Sequence, residues 1–197
     1  HGTGNDFIIL DNRLGFFPRK NSTLIASLCN RHFGIGSDGL ILLEEDVSSD
    51  FKMIYFNSDG SESTMCGNGG RCIVAFAKKL NLFDTKTNFS AIDGIHHAEI
   101  HNDRISLQMI DVDKVKILEK YIFVDTGSPH HVKIVSNLEE YPVVDKARAI
   151  QKKAYIKEGC NINFVEKINK NSFNVRTYER GVEGETLACG TGVTAVA

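Results

Sequence analysis

The sequence predicts a mixed α/β (α+β) protein built from two pseudo-symmetric copies of one unit. Three observations predict it. Strand-like segments outnumber helical ones, and each half of the chain holds about one central helix. Shifting the chain by 123 positions lays Cys66 on Cys189, and with it "ESTMCGNG" on "ETLACGTG", both of the form E-[ST]-x-x-C-G-x-G. The same shift lays Thr3-Gly4 on Thr126-Gly127, and superposes the strands that end at Asn57 and Arg180. Coincidences at one offset read as a duplication. The expected domains are residues 1–113 and 114–197, the second incomplete. Two such copies leave a cleft between them, a favoured place for a ligand pocket.

Taken in order, "DFIILD" is β-rich and follows a glycine turn, which predicts a strand. "STLIASLCNRHFG" has a capping residue at Ser22 or Thr23, apolar residues at helical spacing and a stop at Gly34. "GLILLEED" and "FKMIYFN" are strand-like. "GGRCIVAFAKKLNLF" reads as a helix, with Lys78 and Lys79 favouring its C-terminal end. "KTNFSAI", "HHAEIHN" and "RISLQMI" are short strand candidates. The charged stretch Asp111 to Lys120 is the expected domain junction. Beyond it, "YIFVDTG" is a strand and "DKARAIQKKAY" a helix. "NINFVEKI" and "FNVRTYE" are strands joined by "NKNS", and "GTGVTAVA" opens a last helix.

Hydrophobic residues make up 42% of the 197 and charged residues 24%, enough to bury a core. The net charge of −2 gives no global pull toward nucleic acid or an anionic membrane. No apolar run has the length of a membrane span. The five cysteines are odd in number and sparse, so the expected setting is reducing and cytoplasmic rather than a disulfide scaffold. The chain opens "HGTGNDF" without a methionine and stops inside an apolar stretch, which reads as a segment of a longer protein.

Cys66 and Cys189 carry the chemistry. Each precedes a Gly-x-Gly turn that opens a helix. The N–H groups at a helix start carry about half a positive charge together, which favours a thiolate and binds an anion. Two such cysteines on opposite sides of a cleft suit inversion at a carbon bearing hydrogen. One removes the proton from one face and the other delivers a proton to the opposite face. Donors around the substrate carboxylate stabilise the growing negative charge. Cys29 and Cys72 read as small core fillers. His130 and His131 are adjacent, so their side chains diverge, and the cysteine spacing does not suit zinc, so no metal is expected. Asn5, Asn57 and Asn161 are either turn residues or ligand contacts. Glu179-Arg180 is either a solvated ion pair or a pair for a ligand ammonium and carboxylate. Asp38 shapes its turn. His130 is open between a structural and a cleft residue.

With these residues assembled, the chain resembles the diaminopimelate epimerase family. The stretches "HGTGNDFIILD", "NRHFGIGSDGL", "NSDGSESTMCGNGGRC", "DTGSPHHV", "NINFVE" and "TYERGVEGETLACGTG" carry the resemblance. It implies an epimerase that uses no cofactor and interconverts LL- and meso-diaminopimelate, with its active site between two α/β domains. It implies Cys66 and Cys189 as the proton-handling pair, with Asn5, Asn57, Asn161, Glu179 and Arg180 as substrate contacts. Gly67-Asn68 and Gly190-Thr191 match the loops whose amides hold the substrate carboxylate. His130 and Ser128 are supporting candidates. A small-molecule substrate is the expected partner, without nucleic acid or membrane, and a homodimer is left open. Ser128 stands where many family members have asparagine, and Gly39 where some have glutamine. The resemblance also implies a strand before "HGTG" and a tail beyond Ala197. The alternatives are a two-cysteine racemase acting on proline or hydroxyproline, and a thiol-redox or binding protein without proton-transfer chemistry.

Overall fold

The computed structural model describes residues 1–197, which divide into two units, His1–Gln108 and Met109–Ala197. The junction anticipated after Asp113 lies within the first residues of the second unit. No helix is long and apolar enough to cross a membrane.

In the first unit, β1 (Phe7–Asp11) is joined through α1 (Ser22–Cys29) to the parallel strand β2 (Gly39–Glu44). The strand β3 (Phe51–Asn57) returns antiparallel to β2 and pairs with the short β4 (Glu62–Ser63). After α2 (Gly67–Lys79), β5 (Lys86–Ala91) runs parallel to β3 and opens a meander with β6 (Gly94–His101) and β7 (Arg104–Leu107). The apolar run of β2 follows from having both its faces covered, which removes polar alternation. Ile41 and Leu43 pack with Ile73 and Val74 of α2, whereas Leu40 and Leu42 pack with Ile25 and Cys29 of α1. Cys29 is therefore core, and burial pushes its thiol pKa up.

Two local expectations for α1 are corrected. Its cap is Asn21, whose Oδ1 accepts from the Leu24 N–H at 3.0 Å, and not Ser22 or Thr23. The helix ends at Cys29 and not at Gly34. The Asn30 Oδ1 accepts the N–H groups of His32 and Phe33, each at 2.9 Å, and turns the chain aside. Packing, not propensity, holds α2. Three glycines, Gly67, Gly69 and Gly70, stand at its start, each worth about 1 kcal/mol less than alanine. Burying Ile73 and Val74 fully contributes about 1.5–3 kcal/mol apiece.

The second unit contains β8 (Val115–Ile117), β9 (Ile122–Asp125), β10 (Pro129–Ile134), α3 (Val143–Ala154), β11 (Asn161–Asn169), β12 (Ser172–Glu179), β13 (Gly184–Thr186) and α4 (Gly190–Val196). Its strands lie in the order β13-β12-β11-β10-β9-β8. The run β10-α3-β11-β12-β13-α4 repeats β1-α1-β2-β3-β4-α2 with the same parallel and antiparallel pairings. Each unit thus has two helices, where the sequence pattern suggested one central helix per half. Positive φ recurs at equivalent places: Gly4 (87°) and Gly127 (93°), Gly36 (83°) and Gly159 (65°), Gly60 (86°) and Glu183 (56°).

The strand register refines the offset. Phe7 pairs with Gly39 as His130 pairs with Asn161, and Ile41 pairs with Tyr55 as Asn163 pairs with Thr177. Asn57, opposite Gly39, therefore matches Glu179 rather than Arg180. The second unit is one residue shorter before Asn161 and regains it in the turn after β12, where the Glu183 N–H reaches the Glu179 carbonyl.

The adjacent histidines face opposite ways, as strand alternation requires. His131 stacks on Tyr121, with ring centroids 4.2 Å apart, and its Nδ1 lies 3.0 Å from the Tyr155 hydroxyl on the α3 side. Burial holds both His130 and His131 down at about 4.

Gly60 and Gly181 share the same backbone conformation, with φ of 86° and 87°. A Cβ at Gly60 would lie 2.2 Å from the Ser22 carbonyl oxygen, whereas one at Gly181 meets nothing within 4 Å. Gly181→Ala is expected to cost about 1 kcal/mol from φ alone, and Gly60→Ala at least about 2 kcal/mol more, read from urea unfolding. Equal losses would show that the Ser22 contact imposes no constraint.

The two histidines also set an acid limit. Each is neutral in the folded chain and titrates near 6.5 when unfolded, so the stability they confer is complete above that pH. It is lost as pH falls from about 6.5 through about 4. His131→Phe, which keeps the ring but cannot charge, should flatten the stability-against-pH slope in that window. An unchanged slope would contradict the assignment.

Candidate active site

Each unit places a cysteine at the start of its last repeated helix. In the first, Cys66 is the N-cap of α2 with extended backbone, φ −102° and ψ 128°. Its position follows from the seat of the helix on the sheet. A Cβ at Gly69 would lie 3.1 Å from Ile41 Cδ1 and 3.3 Å from Met53 Cε, so the first turn approaches β2 and β3 closely. The Cys66 Sγ lies 3.7 Å from Asn5 Oδ1 and can donate to it. Asn68 Nδ2 lies 3.5 Å from the same oxygen. Thr3, at the strained φ of 52°, donates its hydroxyl to Asn68 Oδ1 at 3.2 Å, and Arg71 also donates to that oxygen.

The Asn5 amide is held from behind. Its Nδ2 donates to Asp38 Oδ2 at 2.7 Å. Arg31 bridges Asp38 and Asp6 at 2.7 and 2.8 Å, and this guanidinium holds the Asp6 carboxyl down at about 2. Such exposed ion pairs contribute only about 0–1 kcal/mol, so the cluster matters for orientation more than for stability. Because the Asp38 carboxylate only accepts, it turns the Asn5 NH2 toward itself and leaves the carbonyl oxygen toward Cys66. The Asp38 carboxylate, expected to shape its own turn, instead accepts from Asn5, the Asp6 N–H and Arg31, and so orients Asn5. Asn57 lies at the end of β3 and donates to Ser61 Oγ at 3.4 Å. At Gly39 a side chain has no room, since a Cβ would lie 2.6 Å from the Phe56 carbonyl oxygen and 2.7 Å from the Tyr55 ring.

In the second unit, Cys189 is the N-cap of α4, again extended, with φ −125° and ψ 111°. It is buried, and its Sγ lies 3.4 Å from Thr191 Oγ1. Gly192 repeats Gly69: a Cβ there would lie 2.6 Å from Asn163 Oδ1 and 3.3 Å from Cys189 Sγ. Thr126 donates to the Thr191 carbonyl at 2.9 Å, the counterpart of the Thr3 bond to Asn68. The same glycine-turn threonine therefore ties the cysteine loop down in both units.

Asn161 gathers the remaining polar groups. Its Nδ2 donates to Ser128 Oγ at 2.7 Å and its Oδ1 accepts the Arg180 N–H at 2.9 Å. Ser128, shorter than asparagine, is spent on Asn161 in this way. The Arg180 side chain packs over Gly159 and donates to the Glu158 carbonyl at 3.1 Å. Glu179, at the end of β12, accepts from Thr186 Oγ1. Cys160 is core, and burial pushes its thiol up to about 12. Gly67 and Gly190 are the first residues of α2 and α4.

Sequence reading missed Asn163 and Thr177. Both are fully or nearly fully buried and lie under the α4 start, with Thr177 Oγ1 donating to Asn163 Oδ1 at 2.9 Å and Asn163 Nδ2 facing His130 Nδ1 at 3.0 Å. The available signal was the alternation in "NINFV", where polar Asn161 and Asn163 occupy one face of a strand whose other face is core.

A sequence model of the family described as "Diaminopimelate epimerase" matches residues 1–117 and 122–197. A diaminopimelate epimerase of Flavobacterium psychrophilum is 60% identical over 198 residues, covering 100% of this chain and 77% of the relative. That of Chlorobaculum tepidum is 42% identical, covering 100% and 79%, and that of Aquifex aeolicus 38%, covering 100% and 77%. Among solved structures, a phenazine biosynthesis protein of the PhzF family from Bacillus anthracis superposes with a TM-score of 0.69 at 14% identity, over 95% of this chain and 71% of that one. A hydroxyproline epimerase from Agrobacterium vitis superposes at 0.64 and 14% identity, over 92% and 64%. These structures share the two-sheet, internally duplicated α/β architecture. With the family model spanning nearly the whole chain and relatives this similar, the chain belongs to the diaminopimelate epimerase family of isomerases.

Proposed function

We propose that this chain interconverts LL- and meso-diaminopimelate through a pair of cysteines, without a cofactor. The observation that carries the reading is the repeated placement of a cysteine as the extended N-cap of a glycine-started helix, once in each duplicated unit. In this reading each cysteine serves one face of the substrate carbon. One sulfur, as thiolate, takes the Cα proton, and the other, as thiol, returns a proton to the opposite face. The roles exchange with reaction direction. Electron density left on the carbon spreads into the substrate carboxylate, where the amides of Gly67-Asn68 and Gly190-Thr191 stabilise it.

The distal end of the substrate carries a second amine and carboxylate. Asn5, Asn57, Asn161, Glu179 and Arg180 supply polar groups for the substrate, and those that reach its distal end select it. Leaving them unmatched penalises a substrate without that end more strongly than an apolar pocket would. This separates the reading from a proline or hydroxyproline racemase, whose substrate is compact. The 60% identity to a diaminopimelate epimerase supports the same choice.

The purified chain, without pyridoxal phosphate, is expected to convert LL-diaminopimelate to the meso form and to leave L-proline unchanged. Cys66→Ser and Cys189→Ser should each lower kcat by at least about 10²-fold while thermal unfolding stays near that of the parent. Racemisation of proline instead would select the racemase reading. Full activity in either folded serine variant would refute the two-cysteine mechanism.

A further inference from the structure

His130, Asn163 and Thr177 form a buried polar chain directly beneath the Cys189 loop. All three are at most 5% exposed. The equivalent positions in the first unit are Phe7, Ile41 and Tyr55, so the same backbone carries an aromatic and aliphatic floor there. The polar floor is not needed to build the fold.

The chain has a fixed direction. Asn163 Nδ2 lies 3.3 Å from the His131 carbonyl oxygen, which can only accept. The amide nitrogen must therefore be on that side, and the amide oxygen is left to accept from Thr177 Oγ1 at 2.9 Å. The same nitrogen faces His130 Nδ1 at 3.0 Å. Because Asn163 donates there, Nδ1 must accept, and the ring proton resides on Nε2. That Nε2 is buried and has no hydrogen-bond partner. A buried donor without a partner costs free energy that a packed apolar side chain would avoid.

We propose that Asn163 is a positioning residue that locks His130 as the Nε2–H tautomer, so that the imidazole beneath the Cys189 loop is a hydrogen-bond donor rather than a base at Nε2. The carbonyl of His131 and the hydroxyl of Thr177 set the Asn163 amide, and the amide sets the ring. Gly192 keeps the assembly against the helix start, since a Cβ there would lie 2.6 Å from Asn163 Oδ1 and 3.3 Å from Cys189 Sγ. The neutral state agrees with the burial of His130, which holds its pKa down at about 4. The effect on turnover rests on the epimerase reading above, whereas the tautomer does not.

The test is long-range ¹H–¹⁵N correlation on histidine-labelled protein at pH 7.5, with His130→Gln to assign the signal, followed by kinetics. The unmodified chain should show His130 neutral and protonated on Nε2. Asn163→Asp presents an acceptor to Nδ1 and should move the proton to Nδ1. It should lower kcat by about 10²-fold with KM little changed, as misassigned tautomers and misplaced groups do. If the aspartate variant does not fold, Asn163→Leu, which removes the donor to Nδ1, should give mixed tautomer signals. An Nδ1–H or averaged ring in the unmodified chain overturns the proposal. So does a shifted tautomer with unchanged kcat in an active enzyme, or an unshifted tautomer in both variants. If the unmodified chain shows Nε2–H but no epimerase activity, the tautomer lock stands and the substrate reading fails.

Discussion

The seat of a helix start on its sheet is the constraint from which the half-sites follow. Cys66 and Cys189 are extended N-caps ahead of a turn that packs closely on β2 or β11, where a Cβ at Gly69 would crowd Ile41 and one at Gly192 would collide with the Asn163 amide. A larger residue at Gly192 would lift the turn, and with it the amides and the sulfur. The tether from the preceding glycine turn, Thr3 to Asn68 and Thr126 to Thr191, fixes the same loops from the other side. Close packing of small residues thus sets the position of chemistry that the cysteines alone could not fix.

Duplication kept this scaffold and let its floor diverge. Ile41 under Gly69 is hydrocarbon, and Asn163 under Gly192 is an amide in a buried chain with His130 and Thr177. The surroundings of the two thiols differ in kind. Cys66 can donate to Asn5 Oδ1, whose orientation Asp38 dictates, whereas Cys189 meets the Thr191 hydroxyl. Under the proposed mechanism the two sulfurs alternate as acid and base, and that does not require matching neighbours.

Much of this was legible in the sequence. The strands at "DFIILD", "FKMIYFN" and "NINFVEKI", the helix after Cys66 and the duplication follow from local pattern and repeat. The "PHHVKI" strand escaped because paired histidines hide its alternation until one ring is known to stack on Tyr121 and the other to bond Asn163. The strand β8, with its side chains exposed, carries no burial pattern to read. Asn21 displaced Ser22 as cap through a geometry that composition does not encode. The one-residue slip that matches Asn57 to Glu179 needed the pairing register. Roles such as that of Asn163 depend on long-range contacts and are visible only once β10, β11 and β12 are side by side.

The central claim is that removal and return of the proton occur at two different sulfurs. A single turnover of protiated LL-diaminopimelate in deuterated water tests it most directly. Two sulfurs require that meso product formed in the first turnover carry solvent deuterium at the inverted carbon, while unreacted LL substrate remains protiated. Product that keeps the original proton would mean one group working on both faces, and would contradict the account.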